Sequence, residues 1–409
     1  MKALAWILLL PLAAPASVLP IAQVTDLGVH ARLGYDSNPA GSGGASRAIW
    51  GDEGTLVSAL GAGFNVLLTG REPGATPLKL GYQGEWVRLD RWTQENYSTH
   101  RLGLAGQFTP GAWKLSLDAS SLFVDGTNDT LPSLSTINAN AVTLWRERRE
   151  QWQHRVRFSA QSESDSRVIR SSGSLLACDY RTRALAGHVA FADRTDTQAG
   201  LDLGWKPRAR SLWLVGLRGG QQTQDAIPLP GAPYDYSNRY ARLALGWEGK
   251  LPGNTAVSLT AGPDFRHFTG TVDSAALRGR DRTSLWFEGS LTAKPHPAWT
   301  FTGKATRFSW LSSTGKAAYY DSSLEAAAGW VPRAGWNVRL NAKVHACDYF
   351  PSARDDWEWF LGAGVTRVLS PRVQVSIDVL RQRAWNRLPA FAEREFRRAF
   401  VQLGATVRL

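Results

Sequence analysis

The residues able to do chemistry are few and scattered. A hydrolytic site needs a nucleophile, a base and an orienting group within reach of one another. His154 has Ser159 and Ser162 downstream, but its parity places it beside Trp152 and Val156 on the apolar face of its segment, a poor position for a base. His345 shares a polar face with Asn341 and Arg339, without a serine partner, and neither a Gly-x-Ser-x-Gly elbow nor a Walker-type phosphate loop occurs. Cys178 and Cys347 both sit in the tetrapeptide Ala-Cys-Asp-Tyr; with no Cys-x-x-Cys and seven dispersed His, the spacing indicates no metal ligands. In an exported chain the two thiols could join as a disulfide, or they are simply small, half-buried residues. The sequence thus points to no enzyme, no catalytic residue, no metal and no cofactor.

What remains is charge. The 47 Lys and Arg outnumber the 35 Asp and Glu, for a net charge of +12, and only nine of the 47 are Lys. A nucleic-acid binder would cluster such residues with aromatics on one face. Here they are spread along the chain, which argues against nucleic acid and suits a surface beside anionic lipid headgroups or a pore that favours anions.

The elements holding these charges are strands. Trp336, Val338, Leu340, Ala342, Val344 and Ala346 alternate with Asn337, Arg339, Asn341, Lys343 and His345, the two-residue period of a β-strand. Val373 to Val379 and Trp113 to Ala119 repeat the pattern, and no amphipathic helix of 12 or more residues is evident. Beyond residue 20 no run of about 18 apolar residues could cross a bilayer as a helix. Short turns are read at 69–77, 109–112, 147–150, 206–210, 250–254, 294–298, 332–335 and 370–372, all but 147–150 containing Pro. Longer polar segments fall between them, at 37–53, 91–97, 125–137, 223–236, 269–281, 311–319, 348–356 and 386–395.

Short turns at one end and long loops at the other describe a transmembrane antiparallel β-barrel, all-β, with the turns periplasmic and the loops extracellular. Eight turns with a first and a last strand make about 18 strands, in a range of 16–20, the irregular stretch 149–207 leaving room for another hairpin. A propeller of repeat near 40 residues is the competing reading, but each period holds two long strands and no Trp-Asp signature recurs. Trp113, Trp145, Trp152, Trp205, Trp213, Trp247, Trp299, Trp330 and Trp336 lie near the short turns and Trp310, Trp357, Trp359 and Trp385 toward the loops, as headgroup belts require. At this strand number the lumen is wide enough for water, so the polar face points inward.

In that register Lys79, Arg101, Lys114, Arg155, Arg157, Arg242, Arg266, Arg339 and Lys343 face the lumen, with Glu85, Asp118, Glu248, Asp264, Glu288, Glu325 and Glu358. Nine cations against seven anions predict a mixed, weakly anion-preferring wall, or one whose charges satisfy each other. Arg381 and Arg383 share parity with the outward Val379 and are placed to meet outer-leaflet phosphate.

Met1-Lys2, the apolar run Ala3–Leu10 and Ala14-Pro15-Ala16 have the form of a secretory signal cut after residue 16, or alternatively after 22, with 17–409 as one barrel domain. About ten residues then precede the first strand, too few for a transporter plug. The last residues, Val401, Leu403, Ala405, Val407 and Leu409, alternate to the terminus. This strand resembles the closing strand that outer-membrane insertion machinery reads, although that ending is typically aromatic. Leu33-Gly34-Tyr35-Asp36-Ser37-Asn38-Pro39 resembles the Tyr-Asp-x-Asn signature of the β-barrel porin-2 group, which implies an outer-membrane barrel, in some members linked to polysaccharide export. Asp and Asn there also suit a loop start, where they cap their own backbone. The expected function is a porin-like channel in the cell outer membrane for small polar or anionic solutes or saccharides. The alternatives are a structural barrel with a closed lumen or a soluble glycan-binding β-protein. Membrane lipids are the expected partners.

Overall fold

A chain that crosses hydrocarbon as strands must pair every backbone N–H and C=O, and this chain does so by closing one sheet on itself. The structure, a computed structural model, describes residues 21–39, 53–69, 78–93, 96–126, 150–181, 184–185, 188–189, 192–225, 235–270, 281–311, 318–350, 355–387 and 395–409. The strands are β1 (Ile21–Asp36), β2 (Thr55–Thr69), β3 (Leu78–Leu89), β4 (Tyr97–Phe108), β5 (Trp113–Asp125), β6 (Glu150–Glu163), β7 (Arg167–Tyr180), β8 (Ala184–Leu185), β9 (His188–Val189), β10 (Arg194–Arg208), β11 (Ser211–Gln224), β12 (Asn238–Leu251), β13 (Thr255–Phe268), β14 (Asp281–Ala293), β15 (Trp299–Leu311), β16 (Ala318–Trp330), β17 (Trp336–Phe350), β18 (Asp355–Ser370), β19 (Val373–Asn386) and β20 (Phe396–Arg408).

β8 and β9 form a small ribbon of their own in the β7–β10 connection; the other eighteen strands make one antiparallel sheet. Each pairs with its neighbour in chain order, β7 pairs with β10, and β20 returns to β1 with Gly28 opposite Arg408 and Asp36 opposite Phe400. The barrel therefore has eighteen strands.

Short and long connections alternate. At the β12–β13 turn Gly253 and Asn254 take φ of +71° and +51°, the left-handed conformation that Gly and Asn tolerate best. One turn differs from the sequence reading. Glu150 opens β6 rather than closing a short turn at 147–150, and 147–149 lie outside the described residues, as do Trp145 and the expected leader 1–16. The short turn here is Ser164-Asp165-Ser166, tied by the Ser164 N–H to the Arg167 carbonyl at 2.9 Å. It contains no Pro, the residue the sequence reading used to find turns. Trp152 consequently stands at the long-loop end of β6, its ring 4.8 Å from that of Phe123.

The register fixes the faces. Leu201, Leu203, Trp205, Trp213, Val215, Leu217, Leu243 and Leu245 are exposed on the outer surface, whereas their alternating neighbours Asp202, Leu214 and Ala244 are buried inside. Rows of this composition, open to the outside over the whole circumference, belong in hydrocarbon.

A charge on this outer band should resist insertion. Leu245→Arg, near mid-strand on the outer face, is expected to destabilise the membrane-folded barrel by about 2–4 kcal/mol. The inward Ser258→Arg should cost much less. Urea titration of folding into lipid vesicles, read by heat-modifiable migration on gels, measures both.

Candidate functional site

The seam of the barrel is held by the motif that ends β1. Asp36, 1 % exposed, receives the Arg398 guanidinium from β20, with Nε 2.9 Å from both carboxylate oxygens. The same carboxylate accepts the Asn38 backbone N–H at 3.0 Å, while Asn38 Nδ2 donates to the Arg397 carbonyl at 3.1 Å. Tyr35 points outward. Asp36 and Asn38 therefore tie the first strand to the last as well as capping the loop start.

Across the long-loop half the lumen is packed. β15 pairs with β14 only from Phe301 to Arg307; beyond that it stays paired with β16 to Leu311, and its other edge meets side chains of the inner wall. Gln222 Nε2 donates to the Ser309 carbonyl at 3.0 Å, and the Arg194 guanidinium reaches the Leu311 carbonyl, so side chains of β11 and β10 hold the backbone of β15. Beneath it lies a buried polar network. Arg242 Nε and Arg266 Nη2 both donate to Asp264 Oδ2, at 2.8 and 3.1 Å; Arg266 also bonds Gln222 and Asn238. The Tyr240 hydroxyl donates to Asp196 at 2.8 Å. Guanidinium carbons of Arg218 and Arg242 lie 4.7 and 5.4 Å from the ring centre of the buried Trp286. Stacking satisfies the faces of these cations while the carboxylate satisfies their edges. Apolar clusters seal the same level: Tyr236, Phe268, Leu311, Ala318 and Phe350, and next to them Tyr319, Cys347 and Tyr349.

The short-turn half is open by comparison. A cavity of about 980 Å³ is lined by Ser116, Asp118, Arg157, Ser159, Arg218, Glu288 and Lys304, among others. A second, of about 740 Å³, is bordered by Thr300, Asn337, Arg339, Asn341, Asp378 and Gln402. A third, of about 450 Å³, lies against His30, Gln83, Arg101 and Arg408. Hydroxyls, amides and small residues dominate these walls.

The charges named from the sequence take the following places in the structure. Arg101 borders the smallest cavity, and Asp118, Arg157 and Glu288 the largest, with Asp118 directly opposite Arg157. Lys79, Lys114 and Arg155 occupy inward positions of β3, β5 and β6. Glu85 binds His30 at 3.0 Å and also Arg32. Glu248 takes Arg170 at 2.8 and 3.3 Å, from β12 to β7 across two intervening strands. Lys343 bonds Glu325 at 2.9 Å, Arg339 bonds Asp378 at 3.1 Å, and the buried Glu358 accepts from Gln382. Arg242, Asp264 and Arg266 form the buried network. Arg381 and Arg383 project from the outer face of β19 and are exposed.

Several inner-wall residues were not picked out from sequence: Arg32, Arg170, Arg194, Arg218, Arg282, Lys304 and Arg398. Parity alone carries the signal, as Arg218 alternates with the outward Val215 and Leu217. Arg194, Arg218, Arg242 and Arg266 also recur at a constant spacing of 24 residues, one on each of four successive strands. The two Cys are buried and unbridged. Cys178 lies opposite Arg194 and Cys347 opposite Asp321. His345 meets Asp321 and Cys347; Ser323 lies opposite it on β16, with its hydroxyl hydrogen-bonded to Thr306.

A closed eighteen-stranded wall, apolar outside and charged within, defines a membrane-spanning β-barrel of the outer-membrane class. No family model matches the sequence and no curated protein matches it. Solved structures are similar over nearly the whole chain at low identity. OccK2 (OpdF) of Pseudomonas aeruginosa, in complex with glucuronate, is 12% identical, with 95% of this chain and 98% of that chain covered and a TM-score of 0.46. A BenF-like porin from Pseudomonas fluorescens is 11% identical over 96% of this chain and 100% of its own, with a TM-score of 0.47. The FrpB iron transporter from Neisseria meningitidis is 8% identical over 94% and 81%, with a TM-score of 0.46.

The seam makes a direct prediction. Asp36→Ala should leave the Arg398 guanidinium uncompensated and cost about 3–5 kcal/mol, whereas the double variant Asp36→Ala/Arg398→Ala should cost less than the two single changes together. Loss of the compact, heat-modifiable form in urea reads each. Equal, additive losses would remove the pair from barrel closure.

Proposed function

We propose that the barrel is a porin-like channel that passes small polar solutes, anions by preference, through the outer membrane. The observation that carries this reading is the asymmetry of charge around the constriction. Arg194, Arg218, Arg242, Arg266 and Arg282 form a row on the wall made by β10 to β14, outnumbering the Asp196, Asp202 and Asp264 carboxylates set among them, while Asp321, Asp356 and Glu358 stand on β16 to β18. An excess of guanidinium over carboxylate on one sector of the wall, with carboxylates on the next, gives a narrow pathway an uneven field that orients a dipolar or charged solute. The polar cavities on the short-turn side supply a hydrated vestibule leading to that field. Acidic saccharides lie within the substrate class such a wall would accept, since guanidinium groups take carboxylates bidentately while hydroxyl and amide groups meet the sugar.

Two interactions with the surroundings belong to the same reading. Arg381 and Arg383, above the apolar band, pair with phosphate groups of the outer leaflet. The alternating strand Val401–Leu409 is the segment presented to the insertion machinery during assembly.

A second reading has a specific observation in its favour. The end of β15 packs on Gln222, Arg194 and Arg266 and could keep the lumen shut, leaving the long loops as a surface for a partner.

Planar-bilayer recording separates the two. Discrete current steps with a reversal potential displaced toward the anion value are expected, and replacing Arg218 with Ala should move that potential toward the cation value. No current over a wide voltage range would leave the structural barrel as the reading.

A further inference from the structure

The two Ala-Cys-Asp-Tyr segments place their thiols on the inner wall at the same level but in opposite chemical settings. Cys178 of β7 has the Arg194 guanidinium as its cross-strand partner. Cys347 of β17 has Asp321 of β16. His345, two residues before Cys347 on the same strand face, lies beside both: its Nε2 is 3.0 Å from Asp321 Oδ2 and 3.5 Å from Cys347 Sγ. The three donor atoms all fall within 4.8 Å of one another. His345 and Cys347 are buried, and Asp321 is half-buried.

We propose that Asp321, His345 and Cys347 bind a divalent transition-metal ion of the zinc class in the loop-side constriction. The donor set is the argument. One thiolate, one imidazole and one carboxylate suit a borderline ion such as Zn²⁺ or Co²⁺, whereas Mg²⁺ and Ca²⁺ call for oxygen ligands alone. Three protein ligands leave a fourth position for water or a solute. Sheet geometry brings the set together without a Cys-x-x-Cys spacing, because side chains at i and i+2 of one strand and the cross-strand partner of one of them share a single patch.

The surroundings complete a cation site. Asp356 lies opposite Cys347 and Glu358 opposite His345 on the next strand, β18, so two further carboxylates ring the thiolate and the imidazole. His345 Nδ1 is buried without a hydrogen-bond partner. When Nε2 turns to the metal, the ring proton moves to Nδ1, and an acceptor for that proton is the usual support of a metal-bound histidine; Glu358, the cross-strand neighbour of His345, carries a carboxylate able to serve. On binding, the Cys347 S–H bond breaks, its electron pair forms the sulfur–metal bond and the proton leaves to solvent, with no change of oxidation state.

The full-length barrel, stripped of metal and kept reduced in detergent, is titrated with Co²⁺. The expected result is one equivalent bound, with a thiolate-to-cobalt charge-transfer band that Zn²⁺ abolishes by displacement. Cys347→Ser should lose the band, His345→Ala should weaken binding by about 100-fold or more, and Cys178→Ser should keep both band and affinity. As a check that needs no variant, Zn²⁺ should slow maleimide labelling of Cys347, but not of Cys178, when the sites are mapped by peptide mass. Absence of the band in the unmodified protein, its persistence in Cys347→Ser, or equal labelling of both thiols with and without Zn²⁺ would overturn the site. None of these readouts depends on conduction.

Discussion

Everything in this barrel follows from the absence of water in the hydrocarbon layer. A backbone group left unpaired there costs several kcal/mol, so a sheet that enters it has to close. The closing contact joins residues at opposite ends of the chain, and that is where Asp36 and Arg398 sit, 362 positions apart in sequence. Burying such a pair is costly unless both partners are fully bonded. The Asn38 N–H and the Arg398 guanidinium satisfy the carboxylate, so the pair marks one register for the last strand against the first. A slip by one residue would put Arg398 in lipid and Val401 in the lumen, because the side-chain period is two.

Closure also determines what the interior can be. A wall of eighteen strands encloses more space than its own side chains fill, so the lumen stays aqueous unless the chain adds something to it. Here the addition is the end of β15. It leaves its ladder with β14 after Arg307 and finds new partners in Gln222, Arg194 and Arg266. Side-chain donors meet the Ser309 and Leu311 carbonyls while the strand keeps its ladder with β16, so a backbone edge parted from its neighbour is tolerated where it faces protein. The consequence is a division of the lumen into a packed loop-side half, which holds most of the buried aromatic and charged groups, and an open turn-side half.

The wall was legible in the sequence to the extent that it is local. Alternation distinguished the two faces of β5, β17 and β19. Turn positions were legible where Pro marks them and failed at Ser164-Asp165-Ser166, which carries no such mark; the error moved Trp152 to the wrong end of its strand while leaving the strand number intact. The constriction was not legible. Nothing in Phe308–Leu311 distinguishes a strand end that keeps both neighbours from one that parts from β14, and its side-chain partners lie on β10, β11 and β13. The meeting of Asp321 with His345 and Cys347 was hidden for the same reason: a cross-strand neighbour has no fixed sequence separation, whereas the metal-binding signatures read from sequence depend on one.

The distribution of arginine shows how one residue type serves two ends. On the outer face of β19 the guanidinium groups are exposed and add little to stability, since an ion pair in that setting contributes at most about 1 kcal/mol. Inside, Arg242 and Arg266 are buried against Asp264, Tyr240 and Trp286, and each is bonded at its edge and stacked on its face. Lysine could not do this, because its point charge offers neither a fork for the carboxylate nor a plane for the ring. The preference for Arg over Lys visible in the composition is thus explained by the lumen as much as by the membrane surface. Cations fixed by stacking and by the Asp264 carboxylate cannot swing aside, so their places on the inner wall are set by the fold rather than by mobile side chains.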